Sequence, residues 1–125
     1  MIDQQGEAKT VELNSRLGDP EAEVILFRLQ SSLASLIDAA IDGRLDRVEA
    51  EWDRRTALGV VVASAGYPDR PRNGDTITRL PNDDEDCVTF HAGTALEGEQ
   101  LVTRGGRVLC VTALGDTGRA AQGRG

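Results

Sequence analysis

VELNSRLGDPE, residues 11–21, changes character halfway along. Its first six residues alternate. In a strand, Val11, Leu13 and Ser15 share one face, and Glu12, Asn14 and Arg16 share the other. A carboxylate, an amide oxygen and a guanidinium in one row make a poor core face and a good ligand face. Glu12 and Asn14 present hard oxygens of the kind that Mg²⁺ or Mn²⁺ takes, and Arg16 presents a donor fork suited to phosphate. The alternative is a half-exposed strand whose polar face simply meets water. Gly18-Asp19-Pro20-Glu21 then reads as a helix start, with Asp19 at the N-cap, Pro20 at the first helical position and acids in the first turn.

Upstream, residues 1–16 read as a hairpin, with Asp3-Gln4-Gln5-Gly6 turning and Lys9-Thr10-Val11 leading into the ligand strand. An opening strand needs neighbours that nothing before it supplies, so the chain is expected to be a fragment. Exposed edges there predict self-association or a swapped dimer. Downstream, Ile25, Leu29, Leu33, Leu36, Ile37 and Ala40 recur at helical spacing. Ser31-Ser32 interrupts the stripe and offers a fresh N-cap, giving helices over about 20–29 and 32–42, the second closed by Gly43. Residues 44–55 are a short helical turn and a connection.

After Trp52 the pattern becomes β. Residues 56–64 form a continuous apolar run, as in a strand buried on both faces. Shorter strands follow over 75–80, 87–91, 100–103 and 107–114, separated by Gly66-Tyr67-Pro68, the acidic stretch 81–86, Gly98 and Gly105-Gly106. The acidic stretch reads as a solvated loop rather than a metal site. Close-spaced strands with glycine turns suggest a small barrel or sandwich. Residues 118–125 carry no apolar periodicity and are expected to be a disordered tail. The fold class is therefore α+β.

The totals bound the partners. With 125 residues, one core can form without staples. A formal net charge of −7 argues against nucleic acid or an anionic membrane as a bulk partner. No apolar run reaches membrane-spanning length, and a cytoplasmic protein is expected. Cys87 and Cys110 lack metal-site spacing and read as reduced structural thiols. One Trp, one Tyr and two Phe leave Val, Leu, Ile and Ala to fill the core.

Taken in order, several segments resemble the phosphoribosylamine–glycine ligase family of ATP-grasp enzymes. They are Glu12-Leu13-Asn14-Ser15-Arg16-Leu17-Gly18-Asp19-Pro20-Glu21, the helices after it, Gly66-Tyr67-Pro68, and Gly74-Asp75-Thr76-Ile77. Phe90-His91-Ala92-Gly93-Thr94 and Gly105-Gly106-Arg107-Val108-Leu109, running on to Thr117, complete the set. The resemblance covers roughly residues 1–117. It implies that residues 1–50 are the closing hairpin and helices of an ATP-grasp domain, and that 54–117 are a small β-rich domain of barrel-sandwich-hybrid type. The implied reaction joins glycine to 5-phosphoribosylamine at the expense of ATP, through a glycyl phosphate, in purine biosynthesis. Glu12 and Asn14 match the family's ligands to Mg²⁺ or Mn²⁺. Arg16 matches the arginine that meets the transferred phosphoryl group or the acyl phosphate, and Asp19 matches an acid that holds substrate or only caps the helix.

The chain departs from the family at Ala22-Glu23-Val24, where Thr-Gln-Pro is usual, and at Leu13 and Leu17, where an aromatic is more usual. The glycine-rich nucleotide loop and most other contacts lie upstream in the family. The partner implied is therefore the missing N-terminal part of the ligase, and the chain alone is expected to be inactive. A different class of reading is a non-catalytic interaction module pairing with a separate ATP-grasp chain. A biotinyl-type carrier is disfavoured, because Lys9 is the only lysine and precedes the β module. His91 reads as a hydrogen-bonded structural residue, whereas Arg107 is open between a phosphate contact and an ion pair.

Overall fold

The computed structural model describes residues 2–11, 13 and 15–125. Its centre is strand β5 (Arg107–Gly115), flanked by β1 (Thr56–Ala63) and β2 (Cys87–His91) in the antiparallel order β1-β5-β2. β3 (Thr94–Glu97) and β4 (Gln100–Thr103) form a separate hairpin turned at Gly98, where φ is 63°. Three short helices complete the fold: α1 (Glu21–Phe27), α2 (Leu33–Ile41) and α3 (Gly118–Gln122), with a 3-10 turn at Leu45–Arg47.

β5 is buried from Val108 to Gly115 because it has a strand on each side and cover on each face. One face looks at α1. A Cβ added to Gly59 would sit 2.6 Å from Val24 of the helix and 3.1 Å from Cys110 Sγ, so glycine there lets α1 lie close to the sheet. Beside it Phe27 meets Phe90 edge to face, with centroids 6.4 Å apart. The opposite face carries Val111, Ala113 and Cys87, one buried cluster, and the end of the chain lies against it. The Cys87 thiol donates to the Arg124 carbonyl, and burial raises its pKa.

The strand expectations hold at 87–91 and 100–103 and for β5, which runs one residue beyond 107–114. The 56–64 run differs. Its strand is at the sheet edge, with Val60 and Val62 each 44% exposed, because β5 takes the central position between two partners. Residues 75–80 make only a bridge, Thr76 to Val102, supported by Gly74, Asp75 and Ile77 backbone bonds to β4. Residues 118–125 are not a disordered tail: Thr117 caps α3 by accepting from the Ala120 N–H, and Ala121 is buried against Gly115. Short side chains without an apolar stripe hid that helix.

The helical pair breaks where expected. Ser32 Oγ accepts from the Ser35 N–H at 3.3 Å. The far end is a Schellman cap on Gly43, whose φ is 65°: Arg44 N–H donates to Ala39 O at 2.8 Å and Gly43 N–H to Ala40 O at 3.1 Å. At the start of α1, however, Pro20 is the cap residue and Asp19 makes no side-chain cap; the Ala22 N–H goes to the Gly18 carbonyl instead. The N-terminal hairpin is reduced to its turn, where Asp3 collects the Gln5 and Glu7 N–H groups and Ile2 bridges Ala8. Among the described residues of 9–17 no strand forms, since none of them has a neighbour to share a ladder with.

Candidate functional site

Two parts of the chain far apart in sequence meet at the bend before α1. The Gly105-Gly106 turn starts β5 and aims Arg107 at it. Gly106 has to be glycine: a Cβ there would fall 2.4 Å from Cδ2 of the Tyr67 ring. Gly93 lies just as close to the backbone, where a Cβ would be 2.6 Å from the Arg107 carbonyl. Arg107 Nη1 then donates to the Asp19 carbonyl at 2.7 Å, and Nη2 stands 3.8 Å from Asp19 Oδ2. Both side chains are about half exposed, at 44% and 50%. The ion pair, one of the two alternatives left open for Arg107, is present in the fold.

Arg16, three residues before Asp19, is exposed and donates from Nη1 to its neighbour's carbonyl on Leu17 at 2.9 Å. Gly18 is buried between them. Glu12 and Asn14, the residues expected to hold a divalent cation, lie outside the described residues. Among the described residues no group of three or more His, Cys, Asp or Glu side chains could hold a metal. The bend thus brings Asp19 and Arg107 together at an exposed corner, with Arg16 three residues upstream in the same segment. His91 is exposed, and its Nδ1 lies 3.1 Å from Thr94 Oγ1.

A second polar cluster holds the sheet's other end and escaped sequence reasoning. Arg55 Nη2 donates to Asp53 Oδ2 at 2.7 Å, and its Nη1 to Asp86 Oδ1 at 2.8 Å; Arg124 Nη1 reaches Asp86 Oδ2 at 3.0 Å. The Arg55 side-chain hydrogen bonds, and then its backbone N–H, lower the Asp53 pKa to about 2. Hydrogen bonds to Asp53 and Asp86 in turn raise the Arg55 pKa. The acidic loop is therefore fixed rather than merely solvated: Asp83 accepts from the Thr89 N–H and Asp84 from the Asp86 N–H, both at 2.8 Å. Partners 31 and 38 residues away leave no local signal for Asp86.

The family described as Phosphoribosylglycinamide synthetase, C domain, matches residues 57–124, more than half of the chain. The chain belongs to that family. The phosphoribosylamine–glycine ligase of Ralstonia nicotianae is 57% identical over 122 residues, which is 98% of this chain and 29% of that protein. The ligase of Escherichia coli O157:H7 is 54% identical over 126 residues, with 99% and 29% covered. A crystal structure of phosphoribosylamine–glycine ligase from Thermotoga maritima superposes with a TM-score of 0.70 at 36% identity, covering 99% of this chain and 30% of that one. The chain thus spans a little under a third of the length of these relatives. No helix among the described residues is long and apolar enough to cross a membrane.

Proposed function

We propose that this chain is a C-terminal part of an ATP-dependent ligase that joins glycine to 5-phosphoribosylamine, giving glycinamide ribonucleotide, ADP and phosphate in purine biosynthesis. The observation that carries the reading is the 57% identity to the Ralstonia ligase along 98% of the chain. In this reading residues 1–50 close an ATP-grasp domain, and 54–117 are a small β-rich module of barrel-sandwich-hybrid type beside it. The rest of the ligase is the partner, and the protein works in the cytoplasm.

The donor set suits the chemistry. Glu12 and Asn14 offer one carboxylate and one amide oxygen, hard donors that fit part of the shell of Mg²⁺ or Mn²⁺, the remainder coming from the rest of the ligase. When bound, the cation neutralises charge on the phosphates of ATP. Arg16 brings a guanidinium to the same segment to orient the transferred phosphoryl group or the acyl phosphate. Asp19 contributes a carboxylate for a substrate amine or hydroxyl, and Arg107 is a positioning residue that holds the Asp19 carbonyl and with it the bend.

The test is a chimera in which this chain replaces the matching stretch of the Ralstonia ligase. ATP-dependent formation of glycinamide ribonucleotide is expected, with Arg16→Ala losing about 10²-fold or more in kcat. The unfused chain is expected to give no product. A folded chimera that binds ATP and glycine yet forms no product would overturn the proposal.

A further inference from the structure

A cavity of about 270 Å³ opens between the C-terminal half of α1 and the start of β1. Three arginines line it, Arg28, Arg54 and Arg55, in a chain whose formal net charge is −7. Two of them are held still. Arg28 spends Nε and Nη2 on the Asp53 carbonyl at 3.0 and 2.7 Å, and Arg55 is gripped by Asp53 and Asp86. Arg54, between them in sequence, is exposed and makes no hydrogen bond or ion pair with any described residue. Val24, Ile25 and Ala57 supply its apolar lining.

Fixed backbone around a lining arginine distinguishes this place from a solvated charge. The Asp53 N–H donates to the Arg28 carbonyl at 2.7 Å, and Asp53 Oδ1 accepts from the Arg55 N–H at 2.8 Å, so the backbone on both sides of Arg54 is tied down. Arg28 Nη1 and the whole Arg54 fork remain as donors, a set matched to the several oxygens of one phosphate. The counter-charges already present, Asp53 and Asp86, are saturated by Arg55 and Arg124.

We infer that this cavity is a binding site for the phosphate group of a small phosphorylated molecule, with Arg54 and Arg28 taking the phosphate and Val24, Ile25 and Ala57 taking an apolar portion. The inference is drawn from the cavity's own side chains and does not rest on the ligase reading. Inorganic phosphate and phenyl phosphate are the probes, titrated into the full 125-residue chain at low ionic strength while the arginine Nε–H signals are followed by NMR. Saturable shifts at Arg54 and Arg28 are expected, with phenyl phosphate binding more tightly than phosphate. Arg54→Ala, at an exposed position, should weaken both about tenfold or more. Arg28→Lys keeps the charge and should also weaken binding, whereas Arg119→Ala, on α3, should leave it unchanged. Non-saturable shifts, equal loss in all three variants, or unchanged binding in Arg54→Ala would each overturn the site.

Discussion

Residues 9–17 and strand β5 are nine-residue stretches that each carry aliphatic side chains and meet opposite fates. In β5, Val108, Leu109, Val111 and Leu114 are all under 7% exposed. In the N-terminal stretch Val11 is 70% exposed, Leu13 91% and Leu17 52%. Intrinsic preference does not separate them, because both alternate or run apolar as a strand should. Company does. β5 has two ladders and a helix against each face, while among the described residues of 9–17 no strand ladder forms. A strand is a property of its neighbours as much as of its own side chains.

The comparison breaks most visibly at Leu114. Leu114→Ala removes a side chain that is 4% exposed and is expected to cost about 2–4 kcal/mol in urea unfolding, while Leu13→Ala should stay within about 0.5 kcal/mol. Equal effects would mean that the two stretches differ less than their burial says. Gly106→Ala comes next. Its Cβ would run into the Tyr67 ring, with an expected loss of about 1–3 kcal/mol, largely recovered in a double variant with Tyr67→Ala. Independent, additive losses would place the strain elsewhere.

The smallest expected effect is electrostatic. The folded-state pKa of Asp53 lies below its unfolded value of 3.8, so its contribution is fully present above about pH 4 and is lost as the pH falls toward about 2. Asp53→Asn should therefore lower stability at pH 7 and flatten the acid limb over that window, read from thermal unfolding at stepped pH. An unchanged acid limb would remove Asp53 from the account.

Much of this was legible in advance, for local reasons. Ser32 and Gly43 mark the two ends of α2 with side-chain and backbone chemistry that needs no tertiary context. The glycine turns at 98 and 105–106 delimit β4 in the same way. The edge position of β1 was not legible, because a run of valines reads alike whether one or both of its sides are paired. Nor was α3, whose docking depends on one small residue, Ala121, meeting Gly115. The bend site was half legible. The sequence offered Arg16 and Asp19 together, but Arg107 arrives from 88 residues away, and only folding brings it there.

Asp86 answers to two masters, Arg55 at the entrance to the sheet and Arg124 beyond the last helix. A fusion tag or trimming that disturbs residues 118–124 would therefore be felt in the middle of the sequence, through a loosened grip on the segment leading into β1. Engineering of this chain has more freedom at its first ten residues than at its last ten.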